Sequence, residues 1–479
     1  MSVTARVRKS SKQRGAAAKL RPPVEPARVA TAAPRPAAIR PKVAPAAVWP
    51  REVPFELAAA TAGDHAAIQH FLAAAYPAVP RDAFQASLDD PFYEPADRLI
   101  ARVGAQIVGH LHVLKRVMHF AGIEIPMAGL TGLAVPMEER IPGMAGGLMA
   151  AAQQAMIDDG AMLAVLRTRA PRFFVDHGWA VCGRHCHSRA ATRDVLAQLS
   201  ARGIPPADGP VRIRPWRQVE LPGLMRLYSE RMATAIGPFA RTEAYWRWRI
   251  SRQEFDQIFV ALDGPDHLDW ATLDSPIAGY VITRGDRIVE LLARPLTSAG
   301  SAGDADYVAE QLVARACGEA IERDDHAVQL HAAPDDRLHR LFAQASGRYT
   351  HREDHQGDFY MAKLLDPAGL VRRLGETLCA RAVEAGLPRT LGLGLCIDGQ
   401  RHRLSIARRG ARLKTGHVGR SYLKLRRSEF TRLLLGHLDL TEAVAQQRVE
   451  ASTRLALETA AILFPRLPYW RPPWDDVVC

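Results

Sequence analysis

The stretch LAVPMEERIPGMAGGLM, residues 133–149, carries the residue types whose spacing points most directly to chemistry. An apolar run ends at a proline, a charged turn follows, and Gly143, Ala145 and Gly146 open a predicted helix. The first turn of a helix presents backbone N–H groups without intrahelical partners, at the positive end of the helix dipole. Missing side chains leave these groups open to an anion, and Arg140 adds a cation beside them. The stretch therefore predicts a cradle for a pyrophosphate.

Two other kinds of nucleotide site do not fit this stretch. It has no Lys-Ser/Thr pair of a P-loop, so a metal-bound nucleoside triphosphate is not implied. It also lacks the spaced glycines and the downstream acid of a dinucleotide site. One alternative stays open, namely that the small residues only let the helix pack closely on its sheet.

The pattern Val135-x-x-x-x-Arg140-x-x-Gly143-x-Ala145 resembles the Arg/Gln-x-x-Gly-x-Gly/Ala signature of GNAT acetyltransferases. The later segment RFFVDHGWAVCG, residues 172–183, is similar to a second segment of that family. Together with a three-part layout, these motifs resemble the Eis (enhanced intracellular survival) family over about residues 55–479. The resemblance implies a GNAT domain, a degenerate second GNAT-like domain and a sterol-carrier-like α+β domain. It also implies acetyl-coenzyme A as a co-substrate, without a metal.

Carried over residue by residue, the resemblance places the coenzyme on one strand end and the turn after it. The residues expected to contact it are Leu133, Ala134, Val135, Arg140, Ile141, Pro142, Gly143, Met144, Ala145 and Gly146. For catalysis, the resemblance implies a tyrosine as general acid, and the matching position is Phe174, which has no proton to give. It implies the C-terminal carboxylate as general base, which here belongs to Cys479, with Asp475 and Asp476 as rival bases. A backbone N–H of a bulged strand would polarise the thioester carbonyl.

Two groups of histidines invite other interpretations. The segment CGRHCHS, residues 182–188, brings two cysteines and two histidines together, but its spacing is not that of a zinc site, and strand-end packing explains it better. His110 and His112 lie on one face of a predicted strand. They would either line a substrate pocket as secondary bases or form a half-buried structural pair.

The hydrophobic periodicity divides the chain into a tail and three folded units. A predicted tail covers residues 1–54, and the units cover 55–209, 210–363 and 364–479. The first unit alternates helices and strands as an α/β domain with a mixed sheet, and the second repeats that order. The third is α+β, and its proline- and aromatic-rich end predicts packing against the body of the protein. The second unit has LTSAGSAGDAD where the first has its glycine turn, so we expect it to bind no coenzyme A.

The charge of the chain is concentrated at its start. Residues 1–52 hold twelve Lys and Arg against two Glu, whereas the rest holds 51 basic against 49 acidic residues. The Ala-, Pro- and Arg-rich tail predicts disorder, either as a solubilising extension or as a weak contact to nucleic acid or an anionic surface. The sequence has no apolar run that is long and uncharged enough to predict a membrane span. The six scattered cysteines predict reduced thiols in a cytoplasmic protein.

These observations lead to one function and one alternative. The family resemblance implies transfer of an acetyl group from acetyl-coenzyme A to an amine of a small cationic or peptide substrate, and it implies a homo-oligomer. We expect the amine to attack the thioester directly. Direct attack is favoured because no Cys–His–acid arrangement stands near the cradle. The alternative is a catalytically lapsed GNAT-fold protein that binds coenzyme A or a partner, which Phe174 favours.

Overall fold

The computed structural model describes residues 54–76, 81–135, 142–204, 211–266, 276–297, 304–351, 359–388, 390–407 and 410–475. Within these ranges the chain forms three sheets with helices packed against them. Each sheet combines antiparallel pairs with one parallel pair. The mixed α/β fold predicted from the sequence is therefore confirmed.

The first sheet contains the strand that precedes the glycine turn. Its strands are β1 (Glu56–Ala59), β2 (Arg98–Val103), β3 (Gln106–Phe120), β4 (Ile123–Ala134), β5 (Leu163–Thr168), β6 (Ala180–Arg184), β9 (Ile236–Phe239) and β15 (Phe359–Leu364). They run in the order β1-β2-β3-β4-β5-β15-β6, with β9 beside β3. The pair β4/β5 is parallel.

The second sheet repeats part of this pattern. Its strands are β7 (Cys186–Ala191), β8 (Arg212–Pro215), β10 (Gln257–Leu262), β11 (Ile277–Arg284), β12 (Arg287–Ala293), β13 (Ala327–Leu330) and β14 (Arg348–His351). They run in the order β14-β7-β13-β12-β11-β10-β8. As in the first sheet, an antiparallel run is followed by one parallel pair, here β12/β13.

The third sheet has five strands in the described ranges. They are β16 (Leu391–Ile397), β17 (Gln400–Ala407), β18 (Gly410–Thr415), β19 (Tyr422–Leu425) and β20 (Val449–Ala451), in the order β18-β17-β16-β19-β20. Its apolar face shares one core with the first sheet, in which Leu395 and Leu423 belong to the same cluster as Tyr360. The third part of the chain is thus packed directly on the first.

Fourteen α-helices fall within the described ranges. They are α1 (His65–Ala75), α2 (Arg81–Leu88), α3 (Met144–Asp158), α4 (Pro171–Asp176), α5 (Thr192–Ala201), α6 (Leu221–Met232), α7 (Glu243–Ser251), α8 (Ala305–Glu322), α9 (Leu338–Gln344), α10 (Pro367–Arg373), α11 (Gly375–Glu384), α12 (Arg427–Leu434), α13 (Leu440–Ala445) and α14 (Arg454–Leu463). None of these helices combines the length and the apolar character needed to cross a bilayer.

Two strands cross the boundaries drawn from the sequence. A linear division at 209/210 and 363/364 assigns β7 to the first unit and β15 to the second. In the structure β7 pairs with β13 and β14 in the second sheet. Conversely, β15 lies between β5 and β6 in the first sheet. The two sheets are therefore connected by exchanged strands, and the domain boundaries themselves stay a prediction.

The long hairpin β3/β4 and the helix α3 position the site. Ala121 and Gly122 both have positive φ (49° and 94°), as in the two-residue turns whose twist matches that of the strands they join. After β4, the helix α3 buries one apolar face, formed by Met144, Leu148, Met149, Ala152 and Met156. The spacing of these residues is helical, so the sequence itself directs α3 onto the sheet.

Candidate active site

The N-terminus of α3 is open, as the glycine turn predicts. Gly143 is the N-cap, its φ of 85° lies in the left-handed region, and no side chain of the described residues caps the helix. The Gly147 N–H donates to the Gly143 carbonyl over 2.7 Å, which closes the first turn. The N–H groups of Met144, Ala145 and Gly146 precede this bond and have no intrahelical acceptor. These donors and the helix dipole form an anion-binding end.

The glycines of this turn have different roles. A Cβ on Gly147 would lie 3.2 Å from Leu57 Cδ1, so this glycine permits close packing of α3 on β1. Among the described residues, a Cβ on Gly146 would meet only His177 Nε2, at the ordinary distance of 3.5 Å. The packing explanation therefore applies to Gly147, whereas Gly146 keeps the cleft beside α3 open.

The strand β4 carries a bulge just before its end. His112 pairs with Thr131 and His110 pairs with Ala134, so two residues of β4 lie opposite one residue of β3. Gly132 has φ of 61°, and a side chain there would approach the His110 ring to 3.2 Å. A glycine is thus needed here for both conformation and space.

Two side chains hold the carbonyl groups of this bulge. His110 Nδ1 lies 2.8 Å from the Gly132 carbonyl oxygen. The Tyr76 hydroxyl donates to the Leu133 carbonyl oxygen over 2.5 Å. The bulge is therefore fixed from β3 on one side and from the end of α1 on the other.

The strands β4 and β5 separate beyond their short parallel ladder. Pairing runs only from Met127↔Leu163 to Gly129↔Val165, after which β5 continues beside β15. Within the described ranges, residues 132–134 of β4 lie beside β3 and beside no second strand. The opposite edge of β4 is available to pair with an extended ligand, as an edge strand is.

A cavity of about 110 Å³ lies between α3 and the diverging strands. Its lining includes Leu130, Gly146, Gln153, His177, Trp179 and Lys363. Trp179 is only 2% exposed, and its Nε1–H has no hydrogen-bond partner in the described part of the chain. Lys363 Nζ donates to the His177 carbonyl over 2.7 Å, and burial lowers the pKa of its ammonium group. The cavity is therefore lined by Trp179 and Lys363, by the polar side chains of Gln153 and His177, and by apolar residues.

His110 and His112 of β3 are buried, and neither is suited to act as a general base. Burial, followed by the nearby Arg98 guanidinium, lowers the pKa of His110 to about 3. The same causes hold the pKa of His112 well below its ordinary value. Both rings are 3% exposed or less. Of the two interpretations drawn from the sequence, the structure supports structural residues, and these are more deeply buried than expected.

The predicted coenzyme contacts divide between described and undescribed residues. Leu133 and Ala134 end β4 and Val135 follows, while Pro142, Gly143, Met144, Ala145 and Gly146 form the turn and the start of α3. Arg140 and Ile141 lie outside the described residues. The structure thus brings the strand end and the helix start together, and the contacts themselves stay a prediction.

The two predicted catalytic positions have different outcomes. Phe174 lies in α4, 8% exposed, with its ring 6.1 Å from that of Trp179 in an edge-on arrangement, and it packs in the core that contains α3. Its ring is thus part of that core, and its place in catalysis stays a prediction. Cys479 and Asp476 lie outside the described residues.

Asp475, one of the rival bases, is bound in a buried ion network. Arg241 Nε donates to Asp475 Oδ1 over 2.8 Å, and Arg241 Nη1 donates to Glu290 Oε1 over 2.9 Å. The side chains of Arg241, Asp475 and Glu290 are fully buried. A carboxylate held in this way anchors the C-terminal segment and is not free to take a proton from a substrate.

This anchor gives a stability prediction. Asp475→Ala is expected to lower the free energy of unfolding by about 3 kcal/mol, because it removes one partner of a buried ion network. Urea denaturation measures the change. The matched control is Glu458→Ala, which breaks an exposed pair with Arg454 and is expected to cost less than about 0.5 kcal/mol. Equal losses in the two variants would contradict the anchoring role.

Several residues of the site were not predicted. The sequence patterns do not single out Gly132, Tyr76, Trp179, His177 or Lys363. His177 and Trp179 lie in the RFFVDHGW segment, so a search for polar atoms there could have found them. Lys363 has no such signal, because β15 joins the first sheet from a distant part of the sequence.

The CGRHCHS segment contributes to the junction between β6 and β7. The thiols of Cys182 and Cys186 donate to the carbonyls of Tyr360 and Ala332, over 3.4 Å each. His185 Nε2 lies 2.9 Å from His331 Nδ1. In the described part of the chain, no three His, Cys, Asp or Glu side chains are grouped to hold a metal ion.

The second sheet offers no comparable anion site at the helix that matches α3 in chain order. The helix α8 begins after Asp304, whose side chain accepts the Tyr307 N–H over 2.8 Å. A carboxylate in this place repels a phosphate. The expectation that the second unit binds no coenzyme A stays a prediction, and this cap supports it.

Comparison with known proteins accounts for the arrangement of cleft, bulge and helix. Residues 56–182 match the family model of the acetyltransferase (GNAT) domain. Over these residues the chain is similar to a GNAT domain, the fold of acyl-coenzyme A-dependent acetyltransferases. No curated protein sequence matches the chain.

Solved structures resemble the fold over most of the chain. A GCN5-related N-acetyltransferase from Anabaena variabilis has a TM-score of 0.67 at 16% identity, covering 87% of this chain and 99% of that one. A protein of the same description from Kribbella flavida gives 0.64 at 16% identity, covering 87% and 97%. Eis1 from Mycobacterium abscessus gives 0.56 at 16% identity, covering 86% and 97%. At these identities the likeness concerns the fold alone.

Proposed function

We propose that this protein transfers the acetyl group of acetyl-coenzyme A to an amine of a small cationic or peptide substrate. The observation that carries the proposal is the uncapped N-terminus of α3 beside the bulge at the end of β4, where residues 132–134 have no second strand beside them in the described part of the chain. An anionic cradle and a strand edge that meet in this way suit a ligand with a pyrophosphate and an extended amide-bearing arm.

The residues of the cleft suit acetyl-coenzyme A in two places. The N–H groups of Met144, Ala145 and Gly146 would hold its pyrophosphate, with Arg140 as a proposed cationic contact. The edge at Leu133, Ala134 and Val135 would pair with its pantetheine arm. When bound, acetyl-coenzyme A supplies an acetyl thioester whose carbonyl an amine can attack.

The chain then has to polarise the thioester and manage protons. A backbone N–H at the Gly132 bulge is the proposed donor to the thioester oxygen. The proposed base is the α-carboxylate of Cys479, which follows the anchored Asp475 by four residues, a reach of about 14 Å when extended. Phe174 has no acidic proton, so at its position a bound water is the proposed proton donor.

The remaining parts of the proposal concern organisation. We propose a degenerate GNAT-like domain at 210–363, supported by the recurring run of antiparallel strands followed by a parallel pair. We propose a sterol-carrier-like domain at 364–479 on the basis of sequence resemblance. A basic tail over residues 1–54, a homo-oligomer and a cytoplasmic location belong to the same proposal.

A second candidate is a protein that binds coenzyme A without catalysis. Phe174 favours it, because phenylalanine has no proton to give at the position where the family resemblance places a general acid. Calorimetry with acetyl-coenzyme A, followed by thiol release in a screen of amines, separates the two. Binding with thiol release supports the enzyme, and binding without release under any amine supports the second candidate. Absence of binding by the wild type overturns both.

A further inference from the structure

Arg98 is a buried cation without a carboxylate partner among the described residues. It is 3% exposed, and no described carboxylate lies within ion-pair distance of its guanidinium. Its three nitrogens donate instead to neutral groups, with Nε 3.2 Å from the Tyr93 hydroxyl, Nη2 2.7 Å from Ser87 Oγ and Nη1 3.2 Å from His110 Nε2. A buried charge usually requires an opposite charge beside it. The Arg98 guanidinium instead has a histidine, His110, beside it.

The two contacts of His110 fix its tautomer. A carbonyl oxygen can only accept, so the Nδ1 that lies 2.8 Å from the Gly132 carbonyl carries the hydrogen. In the neutral ring Nε2 is then without a hydrogen and accepts from Arg98. His110 therefore links a cation to the carbonyl of the bulge through two hydrogen bonds in the same direction.

This link acts on one particular N–H. The peptide bond between Gly132 and Leu133 is planar and trans, so the Leu133 N–H points opposite to the Gly132 carbonyl. A strong hydrogen bond to that carbonyl draws electron density from the peptide and makes its N–H a better donor. The carbonyl is held toward His110, and the N–H faces away from it.

We propose that Arg98 and His110 are positioning residues for acetyl transfer, polarising the Gly132–Leu133 peptide so that the Leu133 N–H stabilises negative charge on the thioester oxygen. This inference rests on the proposed function. Tyr76 completes the arrangement, because its hydroxyl holds the next carbonyl, that of Leu133, over 2.5 Å. With both carbonyls held, the bulge is preorganised before a substrate binds.

A purely packing role would not require this chemistry. An apolar side chain of similar volume fills a core without the cost of burying a guanidinium. The aromatic rings of Phe84 and Tyr93 lie 4.6 and 5.4 Å from the Arg98 guanidinium carbon and offset part of that cost. The two rings stabilise the buried guanidinium, and its hydrogen bond to His110 orients it toward the bulge of β4.

A pair of amide substitutions tests the link. In His110→Asn the side-chain amide nitrogen occupies the place of Nδ1 and can still donate to the Gly132 carbonyl. In His110→Gln the amide lies at the place of Nε2, so that donor is lost. Without any ligand, the Leu133 amide proton is expected to shift upfield in His110→Gln and much less in His110→Asn. With substrates, His110→Gln is expected to lower kcat about tenfold, while the Kd of acetyl-coenzyme A changes less than about twofold.

The result that overturns the inference is an unmoved Leu133 resonance in His110→Gln, or equal effects of the two substitutions. If His110→Gln fails to fold, Arg98→Gln takes its place, with the same upfield shift and Arg98→Lys as the rescuing variant. The resonance is measured without acetyl-coenzyme A, so it reports on the link even if the wild type binds no coenzyme. Failure of the proposed function is seen separately, by calorimetry on the wild type.

Discussion

Gly146→Glu is expected to weaken coenzyme A binding about 1,000-fold. Of the described residues, a Cβ at this position would meet only His177 Nε2, at 3.5 Å, so the new side chain enters the cleft without displacing the backbone. Its carboxylate then occupies the place proposed for the pyrophosphate. Two charges at about 4 Å repel by about 4 kcal/mol at an effective dielectric constant of 20, which is about a 1,000-fold change in Kd. Isothermal calorimetry with coenzyme A measures it.

The control for this substitution has to separate binding from folding. Gly318→Glu introduces the same side chain in α8, where a Cβ meets no described atom within 4 Å, and is expected to leave binding unchanged. Gly146→Glu is also expected to keep the melting temperature, because a carboxylate at the third position of a helix stabilises its N-terminus. Unchanged affinity for coenzyme A in Gly146→Glu, or an equal loss of affinity in both variants, would contradict binding of the pyrophosphate at the N-terminus of α3.

The start of α3 was predictable because everything that forms it is local. Residues 133–156 contain all three signals: an apolar run that ends at a proline, a glycine at the N-cap and apolar residues at helical spacing. The sequence alone did not show that the individual glycines of this turn have different roles. Gly147 packs on Leu57 from β1, whereas Gly146 faces His177 from the end of α4. That difference depends on contacts between parts of the chain far apart in sequence.

The exchange of β7 and β15 between the sheets shows that local sequence patterns predict a strand but not the strands that it pairs with. The alternation of β15 indicates a strand, but its partners β5 and β6 are set by tertiary packing. Antiparallel pairing with β5 places Lys363 opposite Ala164, beside the cleft. A division into consecutive units therefore leaves out a residue that lines the candidate site.

The C-terminal segment packs against the body of the protein up to residue 475, as its composition predicts. Tyr469, Trp470 and Trp474 are all less than 9% exposed. Their burial follows because a segment rich in proline and aromatic residues gains little from helix formation and much from removing its rings from water. The partner of Asp475 could not be predicted, since Arg241 lies in a different part of the sequence.

Lowering the pH from 7.5 to 5 is expected to reduce the free energy of unfolding by about 4 kcal/mol through two buried histidines, His110 and His331, and further in the same direction through His112. Burial, with Arg98 second, lowers the pKa of His110 to about 3, and burial, with His185 second, lowers that of His331 to about 2. The pKa of His112 lies well below its ordinary value for the same reason as that of His110. In the unfolded chain all three return to about 6.5.

The sign follows from proton binding. Between pH 6.5 and the native pKa values, the unfolded chain binds protons that the native protein does not, so stability falls as the pH falls. At pH 5 His110 and His331 each contribute a loss of about 2 kcal/mol, and His112 contributes in the same direction. Since the native state of a typical domain is stable by about 5–15 kcal/mol, the expected loss is a large share of the total.

Urea denaturation across this range measures the effect, and single substitutions assign it. His331→Asn is expected to remove about 2 kcal/mol of this loss, because the substitution deletes one buried imidazole. A flat stability between pH 6.5 and 5 would show that these rings are protonated in the native protein. Because His110 stays neutral in the native protein at every pH above about 4, a loss of acetyl transfer near pH 5 is expected to follow unfolding and not titration of a catalytic histidine.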